Sequence, residues 1–162
     1  MYLDELKVGI GDYKISAAPG RIITVGLGSC IGIAIYDRSK NLGGLAHIML
    51  PDSTQFVKKT NPLKFANLAV EIMVEDLIRG GASRNNLTAK IAGGASMFNF
   101  SDKAVNMDIG YRNGIAVKEI LSQLRVPLLS MDIGGNKGRT IIFDTTDGIL
   151  YIKTAGMQVK QI

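Results

Sequence analysis

The chain has 162 residues, one cysteine, one histidine, no tryptophan and a formal net charge of +5. A chain of this length buries about two-thirds of its unfolded surface, enough to fold without a structural metal, and a lone thiol excludes an internal disulfide. Its nineteen Lys and Arg residues form no basic run interleaved with aromatics, which sets nucleic-acid binding aside and leaves an acidic protein surface as the favoured kind of partner.

In chain order, the opening MYLDELKVGIGDYK lacks the charged start and apolar core of an export signal, so a cytoplasmic protein is expected. RIITVGLG, CIGIAIYD and LGGLAHIMLP then read as three short apolar strands forming a β-meander, with the turn cluster DRSKN between the second and third. These runs fall far short of the roughly 20 apolar residues that cross a bilayer, so no membrane insertion is expected. STQFVKKTNP is polar and reads as a loop. In LKFANLAVEIMVEDLIRGG, Leu63, Ala66, Ala69 or Val70, Met73 and Leu77 recur at helical spacing. Asn61 suits the cap, Pro62 the first turn, and Gly80 with Gly81 the left-handed stop.

NLTAKIAGGAS predicts a strand running into a glycine turn, and GYRNGIAVKEILSQLR a second helix despite Gly110 and Gly114. VPLLSMDIGGN is another strand. RTIIFDTTDGILYIKT predicts a hairpin, in which Asp147-Gly148 favours a type I′ turn. No repeat, linker or low-complexity segment divides the chain, so a single domain over 1–162 is expected.

Within this layout the segment GLGSC, Gly26 to Cys30, places the only thiol directly after a glycine turn. Gly26, Gly28 and Gly32 would suit a phosphate loop, yet the run IGIAIYD after the thiol is β-branched and strand-like, and Gly-Lys-Ser/Thr is missing. Cys30 as a small buried hydrophobe is the plainest alternative. A third reading has the glycines turn the chain tightly and leave the thiol at the mouth, with backbone N–H groups ready to receive an oxyanion: an acyl-transfer site.

Such a thiol needs a base, and the chain has one histidine, His47, on the strand after the one that Cys30 opens. Antiparallel pairing of these strands brings imidazole and thiol together, and the imidazole is expected to lower the thiol pKa. A third group must fix the imidazole tautomer, and Thr24, Asp37 and Asp52 all compete for that role.

GLGSC, GGLAHIMLPDS, KIAGGASMF and GGNKGR, in this order, resemble the CheD family of chemoreceptor glutamine deamidases over almost the whole chain. The resemblance implies an α/β fold, a single-domain α/β/α layered sandwich with largely antiparallel or mixed sheets and two main helices, similar to the catalytic domain of cytotoxic necrotizing factor toxins. It implies a catalytic triad of Cys30, His47 and Thr24, which raises Thr24 above Asp37 and Asp52. It also implies hydrolysis of glutamine side chains on methyl-accepting chemoreceptors to glutamate and ammonia, hydrolysis of glutamyl methyl esters, and docking to the phosphatase CheC. No cofactor and no metal is called for. Ser29, Asn136 and Arg139, the polar residues of the glycine turns, read as structural. The rival to an enzyme is a non-catalytic module of the same fold that binds receptors or CheC.

Overall fold

A computed structural model describes residues 5–55, 61–96 and 108–162. In chain order the elements are β1 (Glu5–Val8), β2 (Asp12–Ala17), β3 (Arg21–Leu27), β4 (Ile31–Asp37), β5 (Leu42–Ile48), α1 (Ala66–Arg79), β6 (Leu87–Gly93), α2 (Ile109–Gln123), β7 (Leu128–Ile133), β8 (Arg139–Asp144), β9 (Leu150–Thr154) and β10 (Lys160–Gln161). They form two mixed sheets, ordered β1-β3-β8-β9-β10 and β2-β5-β4-β6-β7. In each, one pair is parallel, β1 with β3 and β6 with β7.

The two sheets differ in what covers them. Every residue of β4 and β5 is buried, so these two central strands are covered on both faces, whereas Val25 and Gly26 of β3 are exposed. On one face of the central sheet Ile31, Ile33 and Ile35 pack with Val70, Met73 and Leu77 of α1 and with Val117 and Leu121 of α2. On the other face Ala34, Tyr36 and Leu45 pack with Ile22, Ile141, Phe143, Leu150 and Ile152 of the outer sheet. Gly32 lies in close contact with the outer sheet: a Cβ there would displace the Cδ1 end of Ile141.

The α/β class, with two main helices and two mixed sheets, is as expected. Both helices present their apolar stripes to the same face of the central sheet, so the layers run helices, sheet, sheet instead of α/β/α. The first third is correspondingly not one meander. β3 and β4 lie in different sheets, because β3 has one face to bury and β4 has two, and the turn between them crosses the layer that separates the sheets.

Local departures have local causes. Asn61 accepts from Leu63 N at 3.0 Å and caps a 3-10 turn, Pro62–Lys64; Phe65 is then extended, and the helix proper begins at Ala66. The left-handed stop falls on Gly81 (φ 113°) alone, with Gly80 right-handed (φ −77°). In the β8–β9 hairpin only Gly148 has positive φ (78°), so the turn is not type I′. Its backbone is engaged elsewhere: Thr145 N donates to Gly20 O at 2.9 Å and Tyr36 Oη donates to Thr145 O at 2.8 Å, which keeps the loop longer than two residues.

Candidate active site

Thr24 and His47 meet in the layer between the sheets. The register of β3 against β8 shifts between Thr24 and Leu27, and Gly26 there has φ 73°. This bulge lets Thr24 and Leu27 both face inward although three residues apart, a device that commonly re-aims a side chain beside a site. On the facing sheet, His47 lies opposite Gly32 in the β4–β5 register and is wholly buried. Thr24 Oγ1 and His47 Nδ1 are 2.7 Å apart.

Counting protons gives the tautomer. Thr24 Oγ1 donates to Val8 O at 2.8 Å, and a hydroxyl has one proton. It can therefore only accept from the imidazole, so Nδ1 carries the hydrogen and Nε2 carries the lone pair. Among the described residues nothing partners Nε2, although it is buried. A buried, unpaired basic nitrogen is costly in a fold and useful in a site.

Cys30 immediately precedes β4 and packs in the layer between the sheets at 8% exposure. Strand alternation puts it on the same face as Gly32, so it is a diagonal neighbour of His47, at the roughly 7–8 Å backbone spacing that side chains can bridge. The antiparallel pairing expected of the two strands is present. The expected lowering of the thiol pKa is not. Burial pushes the Cys30 thiol up, partly offset by its own backbone N–H, and burial pulls His47 down to about 4. Thiol and imidazole are both neutral near pH 7, so any attack must be accompanied by proton removal and cannot start from a standing ion pair.

Neither competing carboxylate is the hydrogen-bond partner of the imidazole, which is Thr24. Asp37 ends β4, five residues or about 17 Å along the strand from Gly32. Burial raises its pKa, but hydrogen bonds from Ser39 Oγ (2.6 Å), Ser83 N (2.7 Å) and Ser39 N (2.9 Å) outweigh that and hold it below the usual carboxylate range. Asp52 accepts from Thr54 N and Thr54 Oγ1 at 2.8 and 2.9 Å. Among the described residues no three His, Cys, Asp or Glu side chains gather as a metal would require. No helix among them is long and apolar enough to cross a membrane.

The glycine turns around Cys30 are tied down by backbone. Gly93 has φ 117°, and a Cβ there would collide with Cys30 O. Gly94 N donates to Cys30 O and Ala95 N to Gly28 O, both at 2.8 Å. Arg139 Nη1 donates to Gly93 O (3.2 Å) and Nη2 to Gly134 O (2.9 Å), so this buried arginine braces the turns and fills the structural role expected of it. β4 continues from the thiol as a strand, which leaves GLGSC without the helix N-terminus of a phosphate loop. Two contacts around these residues escaped sequence reasoning: the carbonyl of Val8, which no side-chain pattern announces, and the amide of Asn113, which donates to Ser29 O and Met49 O. The latter had a signal, an amide on the buried stripe of α2 four residues before Val117.

The family model described as CheD chemotactic sensory transduction matches residues 49–154. A protein of Clostridium botulinum (strain Hall) named probable chemoreceptor glutamine deamidase CheD is 64% identical over 162 residues, the whole of both chains. One of the same name from Clostridium acetobutylicum is 64% identical over 160 residues, 99% of this chain and 96% of that one. Among solved structures, Bacillus licheniformis hypothetical protein YfiH is similar with a TM-score of 0.49 and 14% identity, over 77% of this chain and 51% of that one.

Proposed function

This chain belongs to the CheD family, and on that premise we propose that it is a chemoreceptor glutamine deamidase that works through a Cys30 thioester. The observation that carries the reading is the Thr24–His47 contact at 2.7 Å, which among the described residues leaves Nε2 without a partner in the layer where Cys30 also packs.

Cys30 Sγ attacks the side-chain carbonyl carbon of glutamine while His47 Nε2 takes the thiol proton. Sulfur gains a bond to carbon, and the carbonyl electrons move onto oxygen, where N–H groups of the glycine turn receive the charge. Protonated His47 then gives its proton to the amide nitrogen, which leaves as ammonia and yields a thioester. Water, deprotonated by the same nitrogen, attacks that thioester and releases glutamate and the thiol. Glutamyl methyl esters would take the same course with methanol as the leaving group. Thr24 holds the tautomer throughout and carries no bond change.

The net charge of +5 suits a substrate helix that displays glutamine among glutamates, the resemblance adds CheC as a docking partner, and the expected place of action is the cytoplasm. Incubation with a receptor cytoplasmic fragment tests the reading. Intact mass should rise by about one dalton per modified glutamine, with equal release of ammonia, and neither should occur with the Cys30→Ala protein. Receptor binding with no mass change for any of several receptors would make the chain a non-catalytic module.

A further inference from the structure

Asn113 is the only fully buried polar side chain of α2, and its hydrogen bonds among the described residues go to neither the thiol nor the imidazole. Its Nδ2 donates to Ser29 O at 2.9 Å and to Met49 O at 3.0 Å. Ser29 immediately precedes Cys30, and Met49 lies two residues beyond His47. One amide from the helix layer thus ties the segment that carries the thiol to the strand that carries the base, just past the Ile31–Ile48 end of the β4–β5 ladder. Two carbonyl acceptors also fix which way the amide faces, because a flipped side chain would aim oxygen at oxygen. Among the described residues the Oδ1 so placed is buried without a partner. A residue kept only for packing would not carry an orphaned oxygen.

The consequence of holding Ser29 O lies in the peptide plane. The Ser29–Cys30 peptide is trans, so with its carbonyl turned to Asn113 its N–H, that of Cys30, points the opposite way. The preceding peptide is held likewise: Gly28 O accepts from Ala95 N, which turns Ser29 N–H away. Cys30 and Gly94 extend the β4–β6 register, and Gly94 N donates to Cys30 O, but the return bond from Cys30 N to Gly94 O is missing because Gly94 has left the strand conformation at φ 66°. Among the described residues neither Ser29 N–H nor Cys30 N–H donates to another residue.

We propose that Asn113 is a positioning residue for acyl transfer: by gripping Ser29 O and Met49 O it sets the Ser29–Cys30 peptide so that Cys30 N–H, with Ser29 N–H beside it, forms the oxyanion hole. This rests on the proposed Cys30 chemistry and names the donors that serve it. Its signature is a loss in acylation without a loss in thiol reactivity. Acylation of Cys30 by p-nitrophenyl acetate passes through a tetrahedral oxyanion: sulfur bonds to the acetyl carbon, the thiol proton goes to His47, and collapse expels p-nitrophenolate. Alkylation by iodoacetamide displaces iodide at a saturated carbon and forms no oxyanion.

With only one cysteine in the chain, alkylation reads Cys30 alone, and the Cys30→Ala protein supplies the ester blank. Asn113→Leu should slow the p-nitrophenolate burst by about tenfold or more while alkylation stays within about twofold of wild type and thermal unfolding stays cooperative. Asn113→Asp, which keeps the shape and replaces the donor by oxygen, should do the same and serves if the leucine protein does not fold. Unchanged bursts, bursts and alkylation slowed by the same factor, or a wild-type protein without a burst would each overturn the assignment. Receptor deamidation is measured beside these rates: a wild-type burst without it would sink the proposed substrate and leave the Asn113 comparison standing.

Discussion

The layer between the sheets has two ends built on opposite rules. At one end Tyr36 packs edge-on against Phe143, with ring centroids 5.7 Å apart, and its hydroxyl is satisfied twice: it donates to Thr145 O at 2.8 Å and accepts from Asn41 Nδ2 at 3.0 Å. At the other end the same two sheets enclose a thiol with a raised pKa and an imidazole nitrogen without a partner among the described residues, and on the helix behind them an amide oxygen likewise lacks one. Buried polar groups in folded proteins are paired with few exceptions, so two such exceptions, His47 Nε2 in the layer and Asn113 Oδ1 on the helix behind it, set against a hydroxyl paired twice at the other end, are what the proposed chemistry has to account for.

The comparison breaks most sharply at the thiol. Cys30→Ala should lower ammonia release from a receptor fragment by roughly a thousandfold or more, because removing the nucleophile of a catalytic unit forfeits nearly all that the unit achieves. The same substitution should lower the unfolding free energy measured in urea by under about 1 kcal/mol, since it deletes one atom from a site that is not optimised for packing. A large loss of stability would mean that the site end obeys the same rule as the other.

Protonation sharpens the contrast next. The unfolded chain binds a proton on His47 near pH 6.5, whereas in the folded layer burial holds it neutral down to about 4. Between those values the unfolded state binds more protons. His47 therefore contributes stability that is fully present above pH 6.5 and is lost as pH falls to about 4, some 3 kcal/mol in all. Denaturant unfolding over that range should show the slope, and His47→Gln should flatten it. The acid limb of kcat/KM should likewise sit near pH 4 and not near 6.5. A limb near 6.5 would mean that the imbalance of the two ends is smaller than the burial of His47 implies.

How much of this was legible in the residues depends on which interactions decided it. The apolar runs of β3 to β9 and the stripes of α1 and α2 were readable because side-chain period is a local property. The split of β3 from β4 was not, since it depends on which strand is covered on both faces, and CIGIAIYD and RIITVGLG are similarly apolar as strings. The edge strands β1, β2 and β10 were missed for a related reason: ELKV, DYKISA and KQ carry little burial pattern of their own and are strands because a neighbour offers a ladder. Cys30 and His47 stood out by being alone in their residue types. Choosing Thr24 over Asp37 and Asp52 needed the resemblance, because only the bulge at Val25–Gly26 and the facing of two separate sheets bring that hydroxyl to the imidazole.

A third test alters the orienting group. Thr24→Val keeps the β-branched shape and removes the acceptor that holds the proton on Nδ1. Turnover should fall by roughly a hundredfold, less than for Cys30→Ala, because no bond change passes through Thr24. The chain's one histidine makes the tautomer directly observable: imidazole nitrogen shifts should report hydrogen on Nδ1 in the wild type and a mixture of tautomers in the variant. Unchanged nitrogen shifts together with unchanged turnover would return Thr24 to packing and reopen the question of what orients His47.

The smallest expected effect comes from the opposite end, where it serves as the reference for the rest. Tyr36→Phe removes a hydroxyl from the same layer as Thr24→Val and leaves the ring edge-on against Phe143. It takes one donor from Thr145 O, while Asn41 Nδ2 keeps its second acceptor, Thr146 O, at 2.9 Å. A single buried hydrogen bond lost with its acceptor left behind costs about 1 kcal/mol, so the urea midpoint should drop with an unchanged slope. Ammonia release should stay at the wild-type rate. The two hydroxyl deletions then separate on two axes: stability without activity at Tyr36, activity beyond what stability explains at Thr24. If Tyr36→Phe slowed turnover as Thr24→Val does, the layer would act as one coupled unit, and the division into a structural end and a chemical end would fail.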